Sequence, residues 1–93
     1  MAILNDKFVR TVARDFAKRL IETNGNDNEA IVSNSFELSF ARPPSETELE
    51  AAVGFVQAQF EARERRNETD SRREAIADYC HSLFGLNEFI YVD

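Results

Sequence analysis

The sequence predicts an all-α fold, a small bundle of four helices with a docked C-terminal tail, in a single domain of 93 residues. Three observations support this prediction. Apolar residues recur at steps of three and four along most of the chain, which is the period of one helix face. Residues that end helices, namely Gly25, Pro43, Pro44 and Gly85, divide the chain into four segments. Serine and glutamate residues spaced to cap a helix stand at the start of the third and fourth segments.

The first segment is predicted to form a helix that begins at Asn5 or Asp6, either of which can cap it, and ends near Asn24. Its apolar residues share one face, which we expect to pack into the core. They are Phe8, Val12, Phe16 and Leu20, with Val9, Ala13 and Ile21 widening the face. Gly25 is expected to end this helix, because glycine adopts the left-handed conformation after a helix without strain.

The second segment is predicted to form a helix that is capped by Asn26 with Glu29 and ends before the prolines. The residues at helical steps are Ile31, Val32, Ser35, Phe36 and Phe40. Because β-branched residues and serines lower helix propensity, we expect this helix to depend on tertiary contacts.

The third segment is predicted to form a helix from Glu46 to about Arg65, opened by a capping box between Ser45 and Glu48. Its apolar stripe consists of Leu49, Val53, Val56 and Phe60. We expect this helix to be the wall against which the other helices pack. Arg42 precedes the two prolines, and we expect it to be exposed and to bind the carbonyls that end the second helix.

Residues 61–74, EARERRNETDSRRE, contain five arginines and five acidic residues, so we expect a solvated helix end and loop. Ser71 with Glu74 predicts a second capping box. The helix that it opens has a face of Ile76, Tyr79, Cys80, Leu83 and Phe84, and Gly85 ends it. The last residues, NEFIYVD, are expected to form a docked extended tail or a single helical turn, because a lone strand has no partner.

Charge and composition exclude several classes of protein. The 17 acidic and 11 basic residues give a net charge of −6, which repels phosphate backbones, so we expect no nucleic-acid partner. One cysteine cannot form an internal disulfide. The first residues lack the basic and long apolar regions of a signal peptide, and no apolar stretch approaches the ~20 residues of a membrane span. We therefore expect no membrane insertion.

Cys80 and His81 are the residues most suggestive of a metal or haem site, because covalent haem attachment uses the pattern C-x-x-C-H. The position of the earlier cysteine is Ala77, however, and the chain has no other cysteine or histidine. A Cys-His nucleophile is also disfavoured, because adjacent helical residues point about 100° apart. We expect a buried cysteine beside a histidine near the helix end.

The remaining candidates for chemistry also have structural explanations. Glu46, Glu48 and Glu50 complement the dipole at a helix start, where acidic residues are stabilising. Ser71 after an aspartate resembles the phosphopantetheine serine of acyl carrier proteins, but Arg72 follows it where that family has an apolar residue. The phenylalanines at helical spacing are expected to form the core. We therefore predict no catalytic residue, no cofactor and no metal.

Three stretches of the chain resemble one family. They are AILNDKFVRTVARDFAKRL, in which Lys7 stands where proline is frequent, FARPPSETELEAAVGF and CHSLFGLNEFIYVD. They resemble the planctomycete-specific C-terminal domain of unknown function found in large proteins that also carry planctomycete cytochrome-c-like domains. The three stretches occur in order and span residues 2–20, 40–55 and 80–93, and the arginine-rich region between Arg63 and Arg73 is unmatched.

The resemblance implies that this chain is the C-terminal part of a longer exported protein, periplasmic or at the cell surface, whose haem-binding motif lies elsewhere. It implies a non-catalytic structural or protein-interaction module, with the other domains of the parent and a second copy of the chain as partners. The alternative is a contribution to a carbohydrate-binding or redox site shared with the parent. The family's characteristic positions here are Arg42, Pro43, Pro44, Glu48, Asn87, Glu88, Phe89, Tyr91 and Asp93, and we take all of these except Asp93 as structural or interaction residues.

Two roles remain open for Asn87 and Glu88. Either they bind the backbone of the corner from Pro43 to Ser45, or they cap and solvate a last helical turn.

Overall fold

The computed structural model describes residues 6–85, which form four helices and no strand. The helices are α1 (Asp6–Asn24), α2 (Asn28–Phe40), α3 (Glu46–Arg65) and α4 (Ser71–Leu83). The predicted all-α bundle is therefore confirmed, and the helix boundaries agree closely with those expected from the sequence. The predicted cap at Asn5 and the predicted tail lie outside the described residues.

The four helices pack as a ring. Helix α1 packs against α4 and α2, and α3 packs against the same two helices. Helices α2 and α4 therefore stand diagonally across the bundle, and two polar contacts link them. Arg72 donates a hydrogen bond to Asn28 at 2.9 Å, and the hydroxyls of Ser35 and Tyr79 lie 2.6 Å apart.

Helix α4 is the most buried helix, so the expectation that α3 would be the wall of the bundle is wrong. The buried residues of α4 are Ser71, Ala75, Ile76, Ala77, Tyr79, Cys80 and Leu83. In α3 only Val56 is fully buried, although Leu49 and Val53 also pack against the core, as their stripe predicts. The reason is geometric: α1 and α3 cover α4 from two sides, and its alanines allow both helices to approach closely.

Helix α1 is rotated relative to the predicted face. Its buried residues are Ala13, Ala17 and Leu20, while Phe8 is 52% exposed and Val12 is 38% exposed. Small side chains let α1 lie close to α4, and this close packing turns the larger residues at its start toward the surface. The pattern of large apolar residues therefore predicted the helix correctly and its orientation only in part.

The capping box between Ser45 and Glu48 is confirmed. The Glu48 amide donates to the Ser45 hydroxyl at 3.1 Å, and the Ser45 amide donates to the Glu48 carboxylate at 2.8 Å. The cap of α2 differs from the prediction, because Asp27 rather than Asn26 accepts the Ala30 amide, at 3.1 Å.

The capping box predicted between Ser71 and Glu74 is absent from α4. Asp70 precedes the helix in a left-handed conformation, with φ 55°, and its side chain makes no cap hydrogen bond. Ser71 lies inside the helix and is buried, and its hydroxyl contacts the Glu64 carboxylate and the Glu68 carbonyl. The start of α4 is thus held by contacts with the end of α3 and with Glu68, while the segment between the two helices, residues 66–70, is mostly exposed, as expected.

Two glycine-to-alanine substitutions should have opposite effects on stability. Gly54 lies exposed inside α3 with open space around it, so Gly54→Ala should raise the free energy of unfolding by about 1 kcal/mol. Gly25 has φ +64°, a conformation that disfavours any side chain, so Gly25→Ala should lower the free energy of unfolding by about 1 kcal/mol. Urea denaturation of both variants checks this prediction, and shifts of the same sign would contradict it.

Candidate functional site

The corner between α2 and α3 brings together four of the residues singled out in the sequence, Arg42, Pro43, Pro44 and Glu48. The Arg42 guanidinium donates to both carboxylate oxygens of Glu48, at 2.9 and 3.0 Å. It also donates to the Pro43 carbonyl at 3.0 Å. Arg42 therefore binds the start of α3, and the expectation that it binds the carbonyls ending α2 is wrong.

Arg42 also lies over two aromatic rings at the end of α2. Its guanidinium carbon is 5.4 Å from the centroid of Phe36 and 5.9 Å from that of Phe40. The two rings themselves meet edge to face at 5.1 Å. A guanidinium over an aromatic ring is attracted to its negative face. Arg42 is thus half-buried, and it joins the end of α2 to the start of α3.

Glu48 serves the corner in two ways, because it completes the cap of α3 and pairs with Arg42. Hydrogen bonds from the Arg42 side chain and then from the Ser45 backbone lower the pKa of Glu48 to about 2. Glu48 is therefore an ionised structural group at neutral pH.

The other residues singled out in the sequence lie outside the described part of the chain. They are Asn87, Glu88, Phe89, Tyr91 and Asp93. The hypothesis that Asn87 and Glu88 bind the corner therefore stays a prediction.

A second cluster of charged residues, which we call the interhelix ion-pair network, was not found from the sequence. It consists of Arg10 and Arg14 from α1, Arg63 from α3, Glu68 from the following loop, and Glu74 and Asp78 from α4. Its centre is the Asp78 carboxylate, which Arg63 binds through two hydrogen bonds of 2.9 Å and Arg10 binds at 2.8 Å. The side chains of Asp78 and Arg63 are each only 16% exposed.

The outer members of the network extend it along α4. Arg14 donates to both oxygens of Glu74, at 3.1 and 2.8 Å, and Arg63 donates to Glu68 at 2.6 Å. Hydrogen bonds from Arg14 lower the pKa of Glu74, and those from Arg63 lower the pKa of Glu68. These carboxylates are therefore held in the ionised form.

The sequence contained a weak signal for this network. Arg10 and Arg14 are four residues apart, as are Glu74 and Asp78, so each pair lies on one stripe of its helix. Two complementary stripes can pair when their helices are antiparallel neighbours. Arg63 had no comparable signal, because it lies in a run of charged residues that are mostly exposed.

The buried hydroxyl and thiol groups near the centre of the bundle are also structural. Ser35 donates its single proton to the Val32 carbonyl at 2.6 Å, so the Tyr79 hydroxyl donates to Ser35. Burial raises the pKa of Tyr79, and that of the neighbouring Cys80, to about 12. Cys80 is thus a buried thiol, as expected, and burial keeps it in the unreactive protonated form.

A polar cleft of about 350 Å³ lies between α1 and the start of α4. It is lined by Arg14, Lys18, Thr69, Asp70, Arg73 and Glu74. Its charges largely compensate one another, because Arg14 pairs with Glu74 and Arg73 pairs with Asp70. The cleft therefore lacks the concentrated field of one sign that would select a charged ligand.

Comparison of this chain with known proteins identified no relative. No family model, curated protein or solved structure matches the chain.

Within residues 6–85, no group of histidine, cysteine or acidic side chains is arranged to hold a metal ion. None of the four helices is long and apolar enough to span a membrane.

Removing the charge of Asp78 should strongly destabilise the fold. We expect Asp78→Asn to lower the free energy of unfolding by about 3 kcal/mol, because Arg10 and Arg63 would lose the carboxylate that they share. Asp70→Asn is the matched control, since the Asp70 side chain is 61% exposed, and it should change stability by less than about 0.5 kcal/mol. If urea denaturation showed that the two variants lose the same free energy of unfolding, the prediction would be contradicted.

Acid should weaken the corner through Glu48. The folded-state pKa is lowered from the ordinary 4.5 to about 2, so this carboxylate stabilises the fold above pH 4.5, and that stabilisation is lost as the pH falls toward 2. Glu48→Gln should therefore have a lower free energy of unfolding than the parent chain near neutral pH. The difference between the two should narrow as the pH falls from 4.5 toward 2. NMR titration of the Glu48 carboxyl checks the cause, and a midpoint at 4.5 would refute it.

Proposed function

We propose that this chain is a non-catalytic structural or protein-interaction module of a longer exported protein. The observation that carries the proposal is the direction of the displaced pKa values in residues 6–85. The carboxylates of Glu48, Glu68 and Glu74 are shifted down, while Tyr79 and Cys80 are shifted up. A general acid or base needs a pKa near the working pH, so these shifts favour stability rather than catalysis.

The exposed apolar side chains support the interaction role. Leu38 on α2 is 66% exposed and Phe55 on α3 is 38% exposed, and α1 presents Phe8 and Val12. Single exposed apolar residues are common, but four large ones on three helices of a small bundle offer surface for packing against another protein segment.

The proposed context comes from the resemblance of three stretches of the sequence to the planctomycete-specific C-terminal domain. In that family the domain ends a long protein that also carries cytochrome-c-like domains. The proposed partners are therefore the other domains of such a parent, together with a second copy of this chain.

Substitutions at the exposed apolar residues test the proposal in the longer protein. We expect Leu38→Ser combined with Phe55→Ser to lower the domain's own free energy of unfolding by about 1–2 kcal/mol, mostly through Phe55, which is only 38% exposed whereas Leu38 is 66% exposed. The same pair should increase proteolytic cleavage between this domain and its neighbours about tenfold, because a buried apolar contact would be lost. Gln57→Ser on the exposed surface of α3 is the matched control.

If the double variant is cleaved at the same rate as the parent protein, the proposed role as an interaction module is contradicted. If cleavage is unchanged while glycan binding or haem content of the longer protein falls on deletion of residues 1–93, the shared carbohydrate or redox site is favoured instead.

A further inference from the structure

The turn between α1 and α2 contains a pair of residues that reacts readily in unfolded chains. Asn24, the last residue of α1, is followed by Gly25, and no other asparagine of the chain has a glycine after it. Glycine has no side chain, so its amide nitrogen can closely approach the side-chain amide of the asparagine before it. This pair is therefore the place in the sequence most prone to spontaneous deamidation.

The reaction needs no enzyme, and water is its only co-reactant. The Gly25 nitrogen, after losing its proton to base in the solvent, attacks the side-chain carbonyl carbon of Asn24. A bond forms between this nitrogen and Cγ, the bond between Cγ and Nδ2 breaks, and Nδ2 leaves as ammonia with a proton from the solvent. Water then adds to either carbonyl of the five-membered succinimide and opens it. The product carries an aspartate or an isoaspartate at position 24, with one new negative charge.

The folded chain holds the Asn24 side chain away from this reaction. Its Nδ2 donates to the Leu20 carbonyl at 2.9 Å and to the Asn34 side-chain carbonyl at 3.0 Å. The first contact points the side chain back along α1, the direction that helix geometry favours, and so away from the amide that follows. The second contact ties the end of α1 to α2.

The attacking nitrogen is held as well. The Gly25 amide donates to the Ile21 carbonyl at 2.7 Å. Base removes a hydrogen-bonded amide proton only when that bond opens, so the nucleophile is not available in the closed turn. Three hydrogen bonds therefore have to break before the reaction can begin.

The product does not fit the closed turn. A carboxylate has no N–H group, so at position 24 it would face the Leu20 carbonyl with two acceptors opposed. It would also place a negative charge at the C-terminal end of α1, where the helix dipole is unfavourable and the last turn has no basic residue. An isoaspartate also lengthens the backbone by one methylene group. The turn therefore cannot re-form its original contacts after the reaction.

We propose that Asn24 is a site of spontaneous deamidation that is gated by the turn between α1 and α2. The closed turn protects the side chain, and each opening exposes it to an irreversible modification. The modified chain loses the contact between the end of α1 and Asn34 of α2. The turn thus limits the lifetime of the closed bundle.

Peptide mapping of the full chain by mass spectrometry tests the gate. At mildly alkaline pH, the peptide containing Asn24 should gain the mass of an amide converted to an acid on the order of 100-fold more slowly in the folded chain than in urea. Asn34→Ala removes one acceptor, so it should accelerate the reaction of the folded chain several-fold without changing the rate in urea. Glu37→Ala, at an exposed position of the same helix, is the matched control and should leave both rates unchanged.

A variant far from the turn distinguishes local opening from unfolding of the whole chain. The contact of Asp78 with Arg10 lies roughly 20 Å along α1 from Asn24. Asp78→Asn should therefore lower the folding equilibrium constant while changing the deamidation rate of the folded chain less than about threefold. Val56→Ala, a milder change in the core, gives the same comparison. If both variants accelerate deamidation by the factor by which they lower the folding constant, the turn is not the gate.

Asn24→Asp reproduces one of the two products. It should lower the folding equilibrium constant about tenfold, as expected when a hydrogen bond is replaced by opposed acceptors. Asn26→Asp adds the same charge at an exposed position of the turn, and it should change the constant by less than about twofold.

Four further results would overturn the inference. They are no mass gain at Asn24 in urea, equal rates in the folded and unfolded chain, a rate for Asn34→Ala no higher than for Glu37→Ala, and equal stability of the two aspartate variants. None of these measurements depends on the proposed function, so either proposal can fail alone.

Discussion

The Asp78 carboxylate, shared between Arg10 of α1 and Arg63 of α3, is the contact on which the arrangement of the helices most depends. Apolar packing brings helices together but tolerates small rotations and sliding. A largely buried carboxylate bound by two arginines does not tolerate such movements. Any shift leaves a charge without its partner, at a cost of several kcal/mol. This contact therefore selects the register of α1 and α3 against α4.

The requirements of this contact account for the unexpected orientation of α1. To bring Arg10 and Arg14 onto the acidic stripe of α4, α1 must face it with Ala13 and Ala17. The alanines allow a close approach, and the phenylalanine at the start of the helix turns outward. Helix α4 is then covered on two sides, and its polar Tyr79 is satisfied by Ser35 from the helix diagonally opposite.

Arginine–carboxylate pairing recurs at the corner between α2 and α3, where it joins two helices that are neighbours in sequence. There Glu48 caps α3 while it binds Arg42, so a local signal and a tertiary contact use the same side chain. In residues 6–85, no buried polar side-chain atom lacks a hydrogen-bond partner. Arginine–carboxylate pairs and side-chain hydrogen bonds thus satisfy the buried polar groups of the described helices from within the bundle.

The sequence by itself determined the number, the type and the approximate ends of the helices, because glycines, prolines and the Ser45–Glu48 box act on their own neighbours. Arg42 and Glu48 were both singled out in the sequence, but their pairing was not predicted. Only the tertiary structure decided which helix is central, which face of α1 is buried and which carboxylates Arg63 binds. These outcomes depend on which side chains of different helices meet, and the spacing of residues along one helix does not by itself determine how the neighbouring helix is rotated against it.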